Sequence, residues 1–294
     1  MAILGVRVYE QATPVSTPNV AKVGIPFVVG TAPVQTAAKP AKSNTPVLAT
    51  RWDEAVEKLG FSYDWKAYTL CEFMYSHFQL FGCQPAIFCN ILDLEKMKRD
   101  EAAKEYTVTN HQVILPVEAL ASSLTVTASV TADGTAEVKE LEVDTDYSVF
   151  YDRDDSDTYV CIVELLSTGA AYDAATLNIG YSAAAPETAT VADVVDGIAQ
   201  VDAAMTVVGT VPDLICAPGW SHNTVVAAVM ATKASAISGL FKGKAVIDCD
   251  SSAEGVTEYS QLSGYKNKNS FVDVDQILCW PMVKLGDYTF HLST

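Results

Sequence analysis

The stretch PDLICAPGWSHNTVVAAVMATKASAISGLFKGKAVIDCD, Pro212 to Asp250, carries the fold class. Leu214 to Ala217 is a short apolar run, bounded by Pro218-Gly219, and reads as a buried strand. Ser221 is placed to cap a helix that runs to about Leu240, with Val225, Val226, Val229 and Ile237 facing inward. Ala245 to Cys249 is the next apolar run. A strand, a crossover helix and a second strand are the unit from which a layered α/β core with parallel strand pairs is built.

The same rhythm extends in both directions. Upstream, Ile25 to Val29 reads as a buried strand, followed by a Pro/Ala/Lys/Ser-rich loop over Thr31 to Asn44. Val47 to Ala49 is a short strand. A capping box of Thr50 with Asp53 opens a helix carrying Ala55, Val56 and Leu59, and Gly60 ends it. Helical spacing of Leu70, Cys71, Met74, Phe78 and Phe81 predicts a helix from about Trp65 to Phe81. Pro85 to Leu92 is a buried strand, and the charged run Leu94 to Lys104 is expected to be helical. Thr190 with Asp193 makes another capping box, before Val194, Val195, Ile198 and Val201. Downstream, strand character returns around Trp280-Pro281, within Phe271 to Val283, and at Tyr288 to Leu292.

Between these halves the texture changes. From Tyr106 to Tyr181 the chain is rich in Thr, Val, Ala, Ser and Asp. Short strands are expected at His111–Pro116, Leu124–Ser129, Tyr147–Tyr151, Tyr159–Leu165 and Thr176–Tyr181. Turns at Ala132-Asp133-Gly134, Asp152 to Asp157 and Ser167-Thr168-Gly169 separate them, the pattern of a small antiparallel β unit inserted into the α/β chain. The expected division is 1–20, an extended arm; 21–104, the first part of the core; 105–187, the inserted β domain; and 188–294, the second part of the core.

Charge follows the same division. The formal net charge is −17, which argues against binding duplex DNA through its phosphates. Residues 105–187 hold fifteen acids and two bases, a net of −13, and the remainder is near balance at −4. A balanced surface packs against copies of itself more easily than an acidic one. No apolar stretch approaches the roughly 20 residues of a membrane span, and the opening residues do not show the pattern of a signal peptide. The seven cysteines stand in no C-x-x-C pair, and contexts such as PAIFCNIL and DQILCWPM read as buried reduced thiols.

No P-loop, G-x-G-x-x-G, H-E-x-x-H or G-x-S-x-G motif is present. The most enzyme-like grouping lies at two strand ends, where Ser221, His222, Asp248 and Asp250 could converge, because open α/β sheets bind ligands beyond the carboxyl ends of their strands. The plainer reading gives Ser221 and Asn223 to helix capping and the aspartates to turns. Asp152, Asp154, Asp155 and Asp157 depart from a calcium-loop pattern and read as a solvated hairpin turn. His77 is expected to be packed or capping, and His111 and His291 each to stand alone. No cofactor and no metal ligand set is expected.

The first residues, MAILGVRVYEQATPVSTPNV, alternate as a strand over Gly5, Val6, Arg7, Val8, Tyr9 and Glu10 and then stiffen through two Thr-Pro pairs. A strand on a tether needs a sheet edge elsewhere to pair with. GVRVYEQATPVSTP followed by GIPFVVGTAPV, within residues 5–34, resembles the start of contractile phage tail sheath proteins and of related bacteriocin particles. Pro212 to Asp250 is similar to that family's strand–turn–helix–strand core.

The resemblance implies a non-enzymatic virion subunit that polymerises as stacked hexameric rings around a tail tube, assembled in the bacterial host cytoplasm. Residues Gly5 to Glu10 would link neighbouring subunits. Its partners would be itself, the tail tube protein and the baseplate and tail terminator proteins, with no nucleic acid. Such proteins usually continue past the point where this sequence ends, so a truncated, monomeric or weakly associated form is expected. Two rivals remain: an α/β enzyme using His222, Asp248 and Asp250, and a carbohydrate-binding module on the acidic β unit, with Tyr147, Phe150, Tyr151, Tyr159 and Tyr172.

Overall fold

The computed structural model describes residues 24–132, 135–154 and 158–294. The arm over 1–20 and Asp133, Gly134, Asp155, Ser156 and Asp157 of the expected turns therefore lie outside the described residues. The first segment holds β1 (Pro26–Gly30), β2 (Pro46–Ala49), α1 (Trp52–Leu59), α2 (Thr69–Met74) and β3 (Ala86–Asn90). Then come β4 (Lys98–Thr107), β5 (Gln112–Leu115), β6 (Thr125–Ala132), β7 (Thr135–Glu140), β8 (Tyr147–Arg153), β9 (Tyr159–Leu165) and β10 (Thr176–Ala184). The last part holds α3 (Val191–Ala199), α4 (Ala204–Val208), β11 (Leu214–Cys216), α5 (Thr224–Ser235), β12 (Lys244–Asp248), α6 (Leu262–Lys268), β13 (Gln276–Cys279), β14 (Val283–Leu285) and β15 (Tyr288–Phe290).

The protein is mixed α/β. Its main sheet has the order β13-β12-β11-β1-β3-β2. All pairs are parallel except β2 with β3. Alternate residues of the strands face opposite layers. Val28, Phe88, Cys216 and Val246 pack with Ala55, Leu59, Leu70 and Met74 of α1 and α2. Phe27, Val29, Ile87, Cys89, Ile215 and Ile247 pack with Val194 and Ile198 of α3 and Val226 and Met230 of α5. Burial on both faces explains why these strands read as continuous apolar runs rather than as alternating ones.

Residues 98–184 form two smaller antiparallel arrangements, β4-β10-β6-β7 and β5-β9-β8. Their apolar cluster, which includes Val113, Val126, Cys161, Val163, Leu177 and Ile179, is separate from the two core clusters.

Several expectations are corrected. Lys98–Thr107 is a strand, although its residues favour a helix: pairing with β10 from Lys98↔Ala184 to Thr107↔Thr176 overrides local propensity. β7 is a strand not anticipated from the sequence; it pairs with β6 from Thr127↔Glu140 to Ala132↔Thr135. The helix expected from Trp65 begins at Thr69 and changes to π-helical turns over Tyr75–Leu80. Thr50 bonds Glu54, not Asp53, and Arg51 is the N-cap. Asn223, not Ser221, caps α5, which ends at Ser235; Val225 on its first turn is exposed. The Thr190–Asp193 capping box forms as read.

Candidate functional site

In chain order β3 is laid on one side of β1 and β11 on the other, so the winding reverses between β1 and β11. At such a switch point the chains leaving the carboxyl ends of the strands diverge and open a crevice. Two cavities occur there, of about 400 and 350 Å³. Both are lined by Lys66, Thr69 and Trp220.

The walls are held by polar groups that the sheet buries. Thr31, just beyond β1, donates from its hydroxyl to the Ala67 carbonyl at 2.7 Å and accepts from the Thr69 N–H at 3.1 Å. The Thr69 hydroxyl in turn accepts the Thr31 N–H at 3.3 Å. This interlock brings α2 against the end of β1, where a Cβ on Gly30 would stand 2.2 Å from the Thr69 hydroxyl oxygen. At the end of β3, the carboxamide of Asn90 accepts from the N–H groups of Ala32 and Leu92 at 2.9 and 3.1 Å.

The other wall comes from the end of the described chain. Tyr288 and Phe290 of β15 each pack on Trp65, with ring centroids 4.8 Å apart. This seats His291 over Glu72 of α2. The backbone N–H of His291 donates to Glu72, and its ring Nδ1 lies 2.9 and 3.1 Å from the two carboxylate oxygens. Burial works against a charged His291 ring, but the hydrogen bond and charge of Glu72, with a contribution from Asp248, hold its pKa above the ordinary value. Two residues on, Ser293 donates to Asp248 from its N–H at 3.1 Å and from its hydroxyl at 2.5 Å.

Of the four residues singled out at the strand ends, the structure joins Ser221 to Asp248 by hydrogen bonds. Ser221 and Asp248 are both buried. The Ser221 hydroxyl donates to Asp248 Oδ2 at 3.1 Å and accepts the Asp248 N–H at 2.9 Å. Burial pushes the Asp248 pKa up, against the bonds from Ser293 and Ser221 and the nearby charge of His291. His222 is exposed, and its charge helps hold down the pKa of Asp250, after the larger contribution of the Ser252 N–H. The Ser221 oxygen is therefore enclosed and already bonded, and its acidic partner is closed off by Ser293.

His291 does not stand alone, as expected, but is paired with Glu72. The signal available in the sequence was Glu72 itself, a carboxylate inside the apolar run TLCEFM, which burial obliges to find a partner. His77 is packed, stacked on Phe73 at 5.1 Å, and burial lowers its pKa. His111 stacks on Tyr172 at 3.9 Å. The thiols are free: burial raises Cys71, Cys89 and Cys161 to about 12 and Cys249 and Cys279 to about 11, whereas Cys83 is exposed. Among the described residues, no cluster of His, Cys, Asp and Glu is arranged to hold a metal ion. No described helix is long and apolar enough to cross a membrane.

Of the aromatics expected to offer a sugar platform, Tyr147 is buried, and the Tyr151 hydroxyl donates to the Ala119 carbonyl at 2.7 Å. A scan against protein-family models and a search of curated proteins return no match to this sequence.

Proposed function

We propose that this chain is a structural subunit of a contractile phage tail sheath, which polymerises as stacked hexameric rings around a tail tube and contracts to drive the tube through the bacterial envelope. The reading rests on the sequence resemblance of residues 5–34 and 212–250. One observation supports treating those stretches as a single unit. They meet at the centre of the main sheet, where β1 and β11 run parallel in the register Pro26↔Leu214 to Val28↔Cys216.

In this reading Gly5 to Glu10 form the linking strand, which lies outside the described residues. The arm would join the body at Gly24, whose N–H donates to Asp213 at 2.8 Å at the amino end of the sheet, opposite the crevice. Residues 105–187 act as an inserted domain whose negative charge favours a solvent-facing position over a lattice contact. The main sheet and its helices supply the near-neutral packing body. The partners are further copies of the chain, the tail tube protein and the baseplate and tail terminator proteins, in a virion tail. The work of contraction is the difference in packing between two lattice states, which requires no catalytic group.

Electron microscopy of the protein at its full natural length, expressed alone, tests the reading. Contractile-type tubes are expected, and deletion of Met1 to Gln11 is expected to abolish them while leaving the melting transition of the body in place. Tubes that survive the deletion would remove the linking role from Gly5–Glu10. A protein that never polymerises would remove the sheath assignment itself.

A further inference from the structure

We propose that residues 291–293 are a pH-sensitive strap across the crevice, held shut by His291 on the buried carboxylate of Glu72 and by Ser293 on that of Asp248. The geometry is specific. Glu72 and Asp248 are only 2% and 4% exposed, and they belong to different elements on the two sides of the crevice. Each accepts a backbone N–H of the strap and a second bond from the same strap residue's side chain. Three consecutive residues therefore bridge α2 to β12. His291 also lines the larger cavity, so movement of the strap alters its wall.

The strap has a fixed hinge. Tyr288 stacks on Tyr63 at 5.5 Å and packs on Trp65, and Phe290 is 4% exposed. These apolar contacts do not depend on pH, so β15 stays seated and the responsive part begins at His291.

The groups facing the strap are Glu72 from α2, Lys66 from the turn before it, Asp248 from β12, and the thiols of Cys249 and Cys279 beside Asp248. The thiols remain protonated at neutral pH because burial has raised them to about 11. The charge that changes above the ordinary histidine value is that of His291. When its ring loses the proton, Glu72 is left as a buried carboxylate without a counter-charge, an arrangement that favours opening to water. The sign follows from linkage: a histidine raised in the closed state stabilises closure below its ordinary value and ceases to do so as pH rises through the raised value.

Hydrogen exchange on the full chain between pH 5.5 and 9, expressed as protection relative to intrinsic rates, tests the proposal. In the wild type, protection at residues 291–293 is expected to fall on the order of tenfold per pH unit within the His291 window, as loss of one proton per opening requires. β1 should keep its protection throughout. Glu72→Gln should give a strap whose protection no longer falls as pH rises through that window, because the buried anion paired with His291 is gone. His291→Gln should give low, pH-independent protection. A flat wild-type profile, or the same step persisting in either variant, overturns the proposal.

Discussion

The main sheet and the β region over 98–184 bury apolar side chains in different ways. In the main sheet every central strand is covered on both faces, and Phe27, Val28 and Val29 are all fully buried. In the β region the long strand β4 is exposed along nearly its whole length, and is held by its ladder to β10. The first arrangement makes each strand legible as an apolar run. The second depends on partner strands far away in sequence, which local patterning does not name.

The contrast breaks most visibly if one region's cavity is felt equally by the other. Phe88→Ala in β3 should cost about 3–5 kcal/mol and lower the denaturation midpoint of the main sheet, while exchange protection in β9 and β10 is retained. Leu177→Ala in β10, whose side chain is fully buried, should cost about 3 kcal/mol and reverse that pattern. Equal loss of protection in both regions from either variant would show one cooperative unit.

A pH titration sharpens the comparison. Asp146 of the β region accepts the N–H groups of Ala170 at 2.8 Å and Glu142 at 3.1 Å, with Lys139 at 3.4 Å, and these bonds hold its pKa below the ordinary value. Its contribution is present above the ordinary Asp value and is lost as pH falls through the depressed one. The contribution of His291 to the strap has the opposite sign and is lost as pH rises. Exchange at Ala170 should therefore quicken, relative to intrinsic rates, in acid. Asp146→Asn should remove that response while leaving the alkaline response of residues 291–293 intact.

Smaller effects come from single caps and surface pairs. Thr190→Ala removes one side of the capping box on α3 and should cost about 1 kcal/mol in chemical denaturation. Arg99 bridges to Glu187 at 2.8 Å across the junction between the two regions, with both side chains substantially exposed. Arg99→Ala should therefore lower stability by only a few tenths of a kcal/mol. A loss several times larger would mean that this junction couples the regions more strongly than their separate apolar clusters suggest.

The sequence by itself determined the α/β class, the buried strands of the main sheet and the Thr190 cap, because these depend on residues within a few positions of one another. It also marked the change of texture near residue 105. It named Ser221 and Asp248, but not the contact between them. Tertiary structure decided that Lys98–Thr107 is a strand, since a ladder of eight residue pairs with β10 outweighs a helical preference worth tenths of a kcal/mol per residue. It alone brought His291 to Glu72, 219 positions away in sequence. A buried carboxylate requires a partner, but burial and partner both come from chain segments that meet only when the sheet is wound.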